Sequence, residues 1–335
     1  MQPAIYGLKG DQLTAEERAF FRDADPAGYI LFKRNCVERE QLRALTDGLR
    51  AIHGRNDLPI LIDQEGGRVA RLQPPAWPEF PRAERFDALY QIAPMSAIEA
   101  ARANAQAIAI VLREAGINVD CLPLLDVRQP GAHTIIGDRA LGSEPMQVAA
   151  LGRAVIEGLQ QAGVVGVVKH MPGHGRPMVD SHEELPVVTA SAEELELDIE
   201  PFRTLRTAPM GMTAHVVYTA WDAERPGTLS PIVIGDIIRG RIGFDGWLMS
   251  DDLGMKALAG DFGTRARAAL EAGCDVALHC SGDMAEMVAI ASSVGAISPD
   301  SLARRARAMA TIHSEVSPLA YEDLAAKRDA LLSHA

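Results

Sequence analysis

The chain carries no Cys-x-x-Cys pair, no apolar run of membrane-spanning length and no excess of basic residues, and each absence removes a class of function. The four cysteines, Cys36, Cys121, Cys274 and Cys280, lack zinc-type spacing, and three of them lie in apolar stretches where free thiols pack. A reducing compartment is expected. Residues 1–7 show no basic segment followed by an apolar one, and no stretch approaches the roughly 20 residues that cross a bilayer, so neither a secretory leader nor a membrane partner is predicted. The expected location is the cytoplasm. Lys plus Arg number 33 against 45 Asp plus Glu, and a surface of that sign repels phosphate backbones, which argues against nucleic acid as a partner. No Ser/Gly linker, low-complexity tract or internal repeat divides the 335 residues, so one domain spanning 1–335 is predicted.

What is present is a rhythm of short Val/Ile/Leu-rich runs, each ending in polar or Gly/Pro residues and followed by a helix-like stretch, which is the βα alternation of a parallel sheet. The runs are 4–8, 28–32, 59–63, 117–127, 164–170, 209–216, 246–251 and 275–280. Eight such units predict an α/β fold, a single (β/α)8 TIM-type barrel, with the Ala/Leu-rich segments after Cys280 as C-terminal closing helices. Thr14-x-x-Glu17 and Ser191-x-x-Glu194 match the capping box and predict helix starts. Periodic Ala-rich stretches at 97–114 and 147–161 predict two further helices.

In such a barrel the reactive residues sit at the C-terminal ends of strands. Asp63 ends the third run and leads into Gln64-Glu65-Gly66-Gly67-Arg68 and Arg71; Lys169 and His170 end the fifth; His215 lies in the sixth; Asp251 and Asp252 end the seventh. Asp252, ahead of Leu253-Gly254-Met255, suits a helix N-cap, whereas Asp251 beside it has no evident backbone duty. A long Gly/Pro-containing loop runs from Lys169 to His182, and loops of that length inside a barrel tend to be functional. Asp180 and His182 are one residue apart, so in extended chain both side chains project to one side and can form a carboxylate–imidazole acid/base dyad. Glu65 reads as a partner for an arginine or an anchor of the Gly66-Gly67 turn, and His174 as a hydrogen-bonded loop anchor. Of the three tryptophans, Trp77 and Trp221 are candidates for lining a second subsite and Trp247 for the core, and residues 74–78 for bounding the pocket.

The blocks Asp63-Gln64-Glu65-Gly66-Gly67-Arg68, Ile136-Gly137-Asp138-Arg139, Lys169-His170-x-Pro172-Gly173-His174-Gly175 with Asp180-Ser181-His182, and Ser250-Asp251-Asp252-Leu253-Gly254-Met255 resemble, in order, the glycoside hydrolase family 3 β-N-acetylglucosaminidases, the branch typified by the bacterial peptidoglycan-recycling enzyme. Met171 stands where that family usually has an aromatic residue. The resemblance implies a retaining double displacement with Asp251 as nucleophile, His182 as acid/base and Asp180 polarising it. It implies that Asp63, Arg71, Arg139, Lys169 and His170 hold the hydroxyls of a terminal N-acetylglucosamine. The substrate implied is a GlcNAc-β-1,4-anhydro-N-acetylmuramoyl fragment, with or without peptide; no cofactor, metal or obligatory protein partner is implied. A phosphorylase on the same scaffold, a metal hydrolase using His170, His174, His182 and Asp251, and a catalytically silent sugar-binding barrel are the competing readings.

Overall fold

In the computed structural model, which describes residues 1–179, 181, 183–312 and 320–334, eight parallel strands close a barrel in which every strand neighbours its predecessor in sequence. They are β1 (Gln2–Gly7), β2 (Pro26–Leu31), β3 (Ile60–Ile62), β4 (Val119–Asp120), β5 (Val165–Met171), β6 (Met210–Thr213), β7 (Trp247–Asp252) and β8 (Val276–His279). The ring closes through the pairing of β1 with β8, Ala4 opposite Ala277 and Tyr6 opposite His279. Each predicted run overlaps one of these strands, and β1, β2, β5 and β7 extend past their runs by one or two residues.

Side chains alternate across a strand, so each strand feeds two layers. Ile5, Leu61, Val119, Val165, Met210, Trp247 and Val276 come from seven strands yet pack as one cluster, which only the barrel interior can gather. Their neighbours Tyr6, Ile60, Val168, Leu248 and Ala277 belong to the layer facing the helices.

The helices follow the strands: α1 (Ala15–Ala24), α2 (Arg39–His53), α3 (Glu84–Ile92) and α4 (Pro94–Glu114), α5 (Pro145–Gln161), α6 (Glu196–Thr204), a π-helical segment (Val233–Ile242), α7 (Phe262–Ala272) and α8 (Met284–Ser293). The predicted box at Thr14 caps α1, with Thr14 and Glu17 satisfying each other's backbone amides. At Ser191 the reciprocal bonds to Glu194 also form, but residues 192–195 make turns and the helix begins only at Glu196, four residues later than expected.

The fourth run is a second correction. Its expected strand, 117–127, shrinks to two residues, because Pro123 has no N–H to donate and the chain beyond Cys121 runs beside β5 without a regular ladder.

Two helices complete the chain. α9 (Pro299–Met309) adds Ala308 and Met309 to the interior cluster, closing the N-terminal mouth of the barrel. The Trp247 indole N–H there donates to Ser301 Oγ at 3.2 Å, and Ser301 donates onward to the Asp275 carbonyl at 2.9 Å. α10 (Tyr321–Leu332) lies outside on α4, where Arg328 donates to Asn104. No helix among the described residues is long and apolar enough to cross a membrane.

Candidate active site

The same alternation that fills the interior carries polar residues into its open end. Counting in twos from Leu61, Val167 and Met249 reaches Asp63, Lys169 and Asp251, so all three face the axis at the C-terminal mouth. They line one cleft of about 400 Å³ together with Glu65, Arg68, Arg71, Arg139, His170 and His174. Ile30, Met212 and Leu278 form its apolar floor.

A small antiparallel hairpin, Gln64–Gly66 against Val69–Ala70, folds back after β3 and delivers Glu65 and Arg71. Gln64 holds it shut: its side-chain oxygen accepts from the Arg71 and Leu72 amides at 3.0 Å, and its amide donates to the Leu72 carbonyl at 3.1 Å. The result is an alternating array of charges. Arg71 meets Asp63 at 2.8 Å, Lys169 lies 3.1 Å from Asp63 and 2.7 Å from Glu65, and Arg139 grips both Glu65 oxygens at 2.8 Å.

Burial opposes ionisation throughout, yet the partners outweigh it. Lys169 and Arg71 hold the Asp63 carboxyl far below the usual range, and Arg139 and Lys169 bring Glu65 down to about 2. The carboxylates in return raise Lys169 despite its burial. Arg68 donates to Asp138 at 2.8 Å and to the Thr134 carbonyl at 3.1 Å, tying the hairpin to the 136–139 segment.

Asp126, just past β4, organises the start of the long loop. It accepts the His170 amide at 3.1 Å, the His174 amide at 2.6 Å and the His170 Nδ1–H at 2.8 Å, which leaves Nε2 as the His170 nitrogen for the cleft. Although burial resists it, His170 draws the Asp126 pKa down to about 2. Burial depresses His174 to about 4, and its Nε2 lies 3.2 Å from Ser181 Oγ. Gly175 permits this packing: a Cβ there would stand 1.8 Å from the Val127 carbonyl oxygen.

At the end of β7, Asp251 Oδ1 accepts the amide of Asp252 at 2.8 Å, a local backbone duty that the sequence did not show. Asp252 caps no helix, since residues 253–258 form turns and bends and α7 starts only at Phe262; its Oδ1 instead accepts the Gly254 and Cys280 amides at 2.9 and 3.2 Å.

The structure thus brings Asp63, Arg71, Arg139, Lys169, His170 and Asp251 into one cleft, with Glu65 paired as expected. Asp180 and His182 lie outside the described residues. Trp247 is core, fully buried. Trp77 and the 75–78 segment line a separate hollow with Arg39, Glu114 and Tyr321, and Trp221 packs at a tilt against Tyr218; none of them lines the cleft that holds Asp251. Asp126 escaped notice because it sat inside a stretch read as one long apolar strand; its place one residue past Leu124-Leu125, just short of the strand's expected end, was the available signal.

The model of the glycosyl hydrolase family 3 N-terminal domain matches residues 5–312. The chain belongs to glycosyl hydrolase family 3. Among its relatives in that family, the β-hexosaminidase of Alkalilimnicola ehrlichii is 42% identical over 284 residues, covering 83% of this chain and 80% of that protein. The β-hexosaminidase of Methylococcus capsulatus is 40% identical over 282 residues, 83% of this chain and 82% of that one. Among solved family 3 structures, NagZ from Neisseria gonorrhoeae in complex with N-trifluoroacetyl-D-glucosamine superposes with a TM-score of 0.86 at 32% identity, over 99% of this chain and 97% of that one. A family 3 β-N-acetylglucosaminidase from Paenibacillus gives a TM-score of 0.84 at 32% identity, over 98% of this chain and 66% of the other.

Proposed function

We propose that the chain is a retaining β-N-acetylglucosaminidase acting at the non-reducing end of its substrate. The observation that carries this is the position of Asp251: it faces the cleft across from an ion-paired array able to grip a sugar's hydroxyls.

In the first step an Asp251 oxygen attacks the anomeric carbon while the glycosidic C–O bond breaks, and His182, oriented by Asp180, gives its proton to the departing oxygen. In the second, His182 takes a proton from water, whose oxygen displaces Asp251 and regenerates both groups. Asp63 and the His170 Nε2 supply hydrogen-bonding positions for the sugar ring, and Arg71, Lys169 and Arg139 supply donors. Glu65 acts through the last two by fixing their positions. The relatives' activity as β-hexosaminidases, and the N-acylated glucosamine bound by the gonococcal neighbour, support N-acetylglucosamine as the sugar.

The substrate inferred is a GlcNAc-β-1,4-anhydro-N-acetylmuramoyl fragment, with or without peptide, met in the cytoplasm during cell-wall recycling, and one catalytic domain over 1–335 suffices for it. Hydrolysis is favoured over phosphorolysis because the described cations lining the cleft, Arg68, Arg71, Arg139 and Lys169, are each engaged by a carboxylate, which leaves little positive field for phosphate.

Proton NMR of the first-formed hemiacetal from 4-nitrophenyl β-N-acetylglucosaminide tests the reading. The β-anomer is expected, with turnover lost in Asp251→Ala and returned by azide as the α-glycosyl azide. An α-anomer as first product, or an active Asp251→Ala without azide, overturns it.

A further inference from the structure

The backbone ladder that should hold the reacting end of β7 stops short of it. On the β6 side, paired residues run from Trp247 opposite Met210 to Met249 opposite Met212 and no further. On the β8 side, the register slips between Met249 and Asp252 and pairing resumes with Asp252 opposite Leu278, where the Leu253 amide donates to the Leu278 carbonyl at 2.9 Å. Asp251 therefore stands beside a gap in the ladder, and side chains bridge that gap. Toward β8 the replacements are Ser250 Oγ, which accepts the Leu278 amide at 2.9 Å, and Asp252 Oδ1 on Cys280.

Toward β6 the replacement is a chain of buried groups. The Asp251 amide donates to Thr213 Oγ1 at 3.3 Å; Thr213 and Thr228 hydroxyls are 2.7 Å apart; Thr228 Oγ1 is 2.7 Å from His215 Nδ1; and His215 Nε2 is 2.9 Å from the Asp252 carbonyl. Thr213, His215 and Thr228 are completely buried, and none of them lines the cleft.

Only one proton arrangement satisfies every link. A carbonyl only accepts, so His215 Nε2 carries the hydrogen. Burial lowers the His215 pKa, which keeps the ring neutral and makes Nδ1 an acceptor. Thr228 then gives its single proton to Nδ1, the Ala214 carbonyl at 3.2 Å being the more distant alternative. With that proton committed, Thr228 accepts from Thr213, and Thr213 accepts from the Asp251 amide.

We propose that the Thr213–Thr228–His215 chain is a positioning device for the nucleophile, clamping the peptide on both sides of the Asp251 side chain, at the Asp251 N–H and the Asp252 C=O. It rests on Asp251 being the nucleophile. The three residues touch no substrate; they fix the angle from which the carboxylate meets the anomeric carbon, where small misplacements are costly to rate and not to binding.

The test compares Thr228→Val, which keeps shape and removes the hydroxyl, with Thr228→Ser, which restores it. On 4-nitrophenyl β-N-acetylglucosaminide at 25 °C, Thr228→Val is expected to lower kcat about 10- to 100-fold, with KM within about threefold of wild type, as the loss of one buried hydrogen bond in the transition state implies. Thr228→Ser should recover most of that rate. A folded Thr228→Val with wild-type kcat, or one in which only KM or melting temperature changes, overturns the proposal. Should Thr228→Val fail to fold, Thr213→Ala, which removes the acceptor at the Asp251 amide, is read by the same kcat against KM split. Asp251→Asn, measured alongside, separates the two layers: inactive Asp251→Asn with an unaffected Thr228→Val sinks the clamp alone, whereas active Asp251→Asn sinks the nucleophile assignment and the clamp with it.

Discussion

Glu65 and Lys169 form an ion pair of 2.7 Å in which the two side chains are 4% and 2% exposed. A pair so enclosed is marginal as a source of net stability, but breaking it strands a charge away from water. Lys169→Met should destabilise the fold by about 3–5 kcal/mol, because Glu65 and Asp63 are left sharing a buried site with less compensation. Urea unfolding at pH 7 measures this, and a loss below about 1 kcal/mol would show that water or Arg71 and Arg139 replace the lysine.

The same carboxylates set the acid limit. The folded-state pKa of Glu65, about 2, lies beneath the unfolded value of about 4.3, and Asp63 is shifted in the same direction. Groups depressed in this way contribute stability that is complete above the unfolded pKa and fades as pH falls through the folded one. Melting temperature should therefore hold down to about pH 4.5 and fall toward pH 2, and in Glu65→Gln the fall should be shallower from a lower starting point.

Asp126 orients His170 from behind. Asp126→Asn keeps acceptor capacity for the two amides but no longer demands the Nδ1–H tautomer, so kcat/KM should drop about 10- to 100-fold, the worth of one misdirected charged hydrogen bond. Steady-state kinetics with circular dichroism as the fold control decides between this and a purely structural role, which would leave kcat/KM of the folded fraction unchanged.

At the other end of the barrel, Ser301→Ala leaves the Trp247 indole N–H buried without its acceptor. Stability should fall by about 1–3 kcal/mol, with kcat and KM unaltered, since the N-terminal mouth serves the fold and not the chemistry. A changed KM would mean that the two ends are coupled.

Much of this was legible in the sequence for a specific reason. A parallel barrel strand is buried on both sides, so its apolar run is continuous and its polar end stands out, as at Ile60-Leu61-Ile62-Asp63 and Trp247-Leu248-Met249-Ser250-Asp251. The exception was 117–127, where apolar residues continue past the ladder because that irregular stretch is buried too; Leu122, Leu124 and Leu125 hide the break in the strand that precedes Asp126. The Ser191 box was equally real and equally misleading, since its bonds close a turn before any helix begins. Nothing in composition or spacing revealed that Thr228 would meet Thr213, because that contact depends on how the chain after β6 doubles back.

The plug formed by α9 and Trp247 makes the barrel a blind well. With that end filled, a ligand can enter only from the side where the strands end. The exo-action proposed above would count chain ends and not linkages, so at equal mass of polymer the rate would rise in proportion to how finely other enzymes had already cut the material.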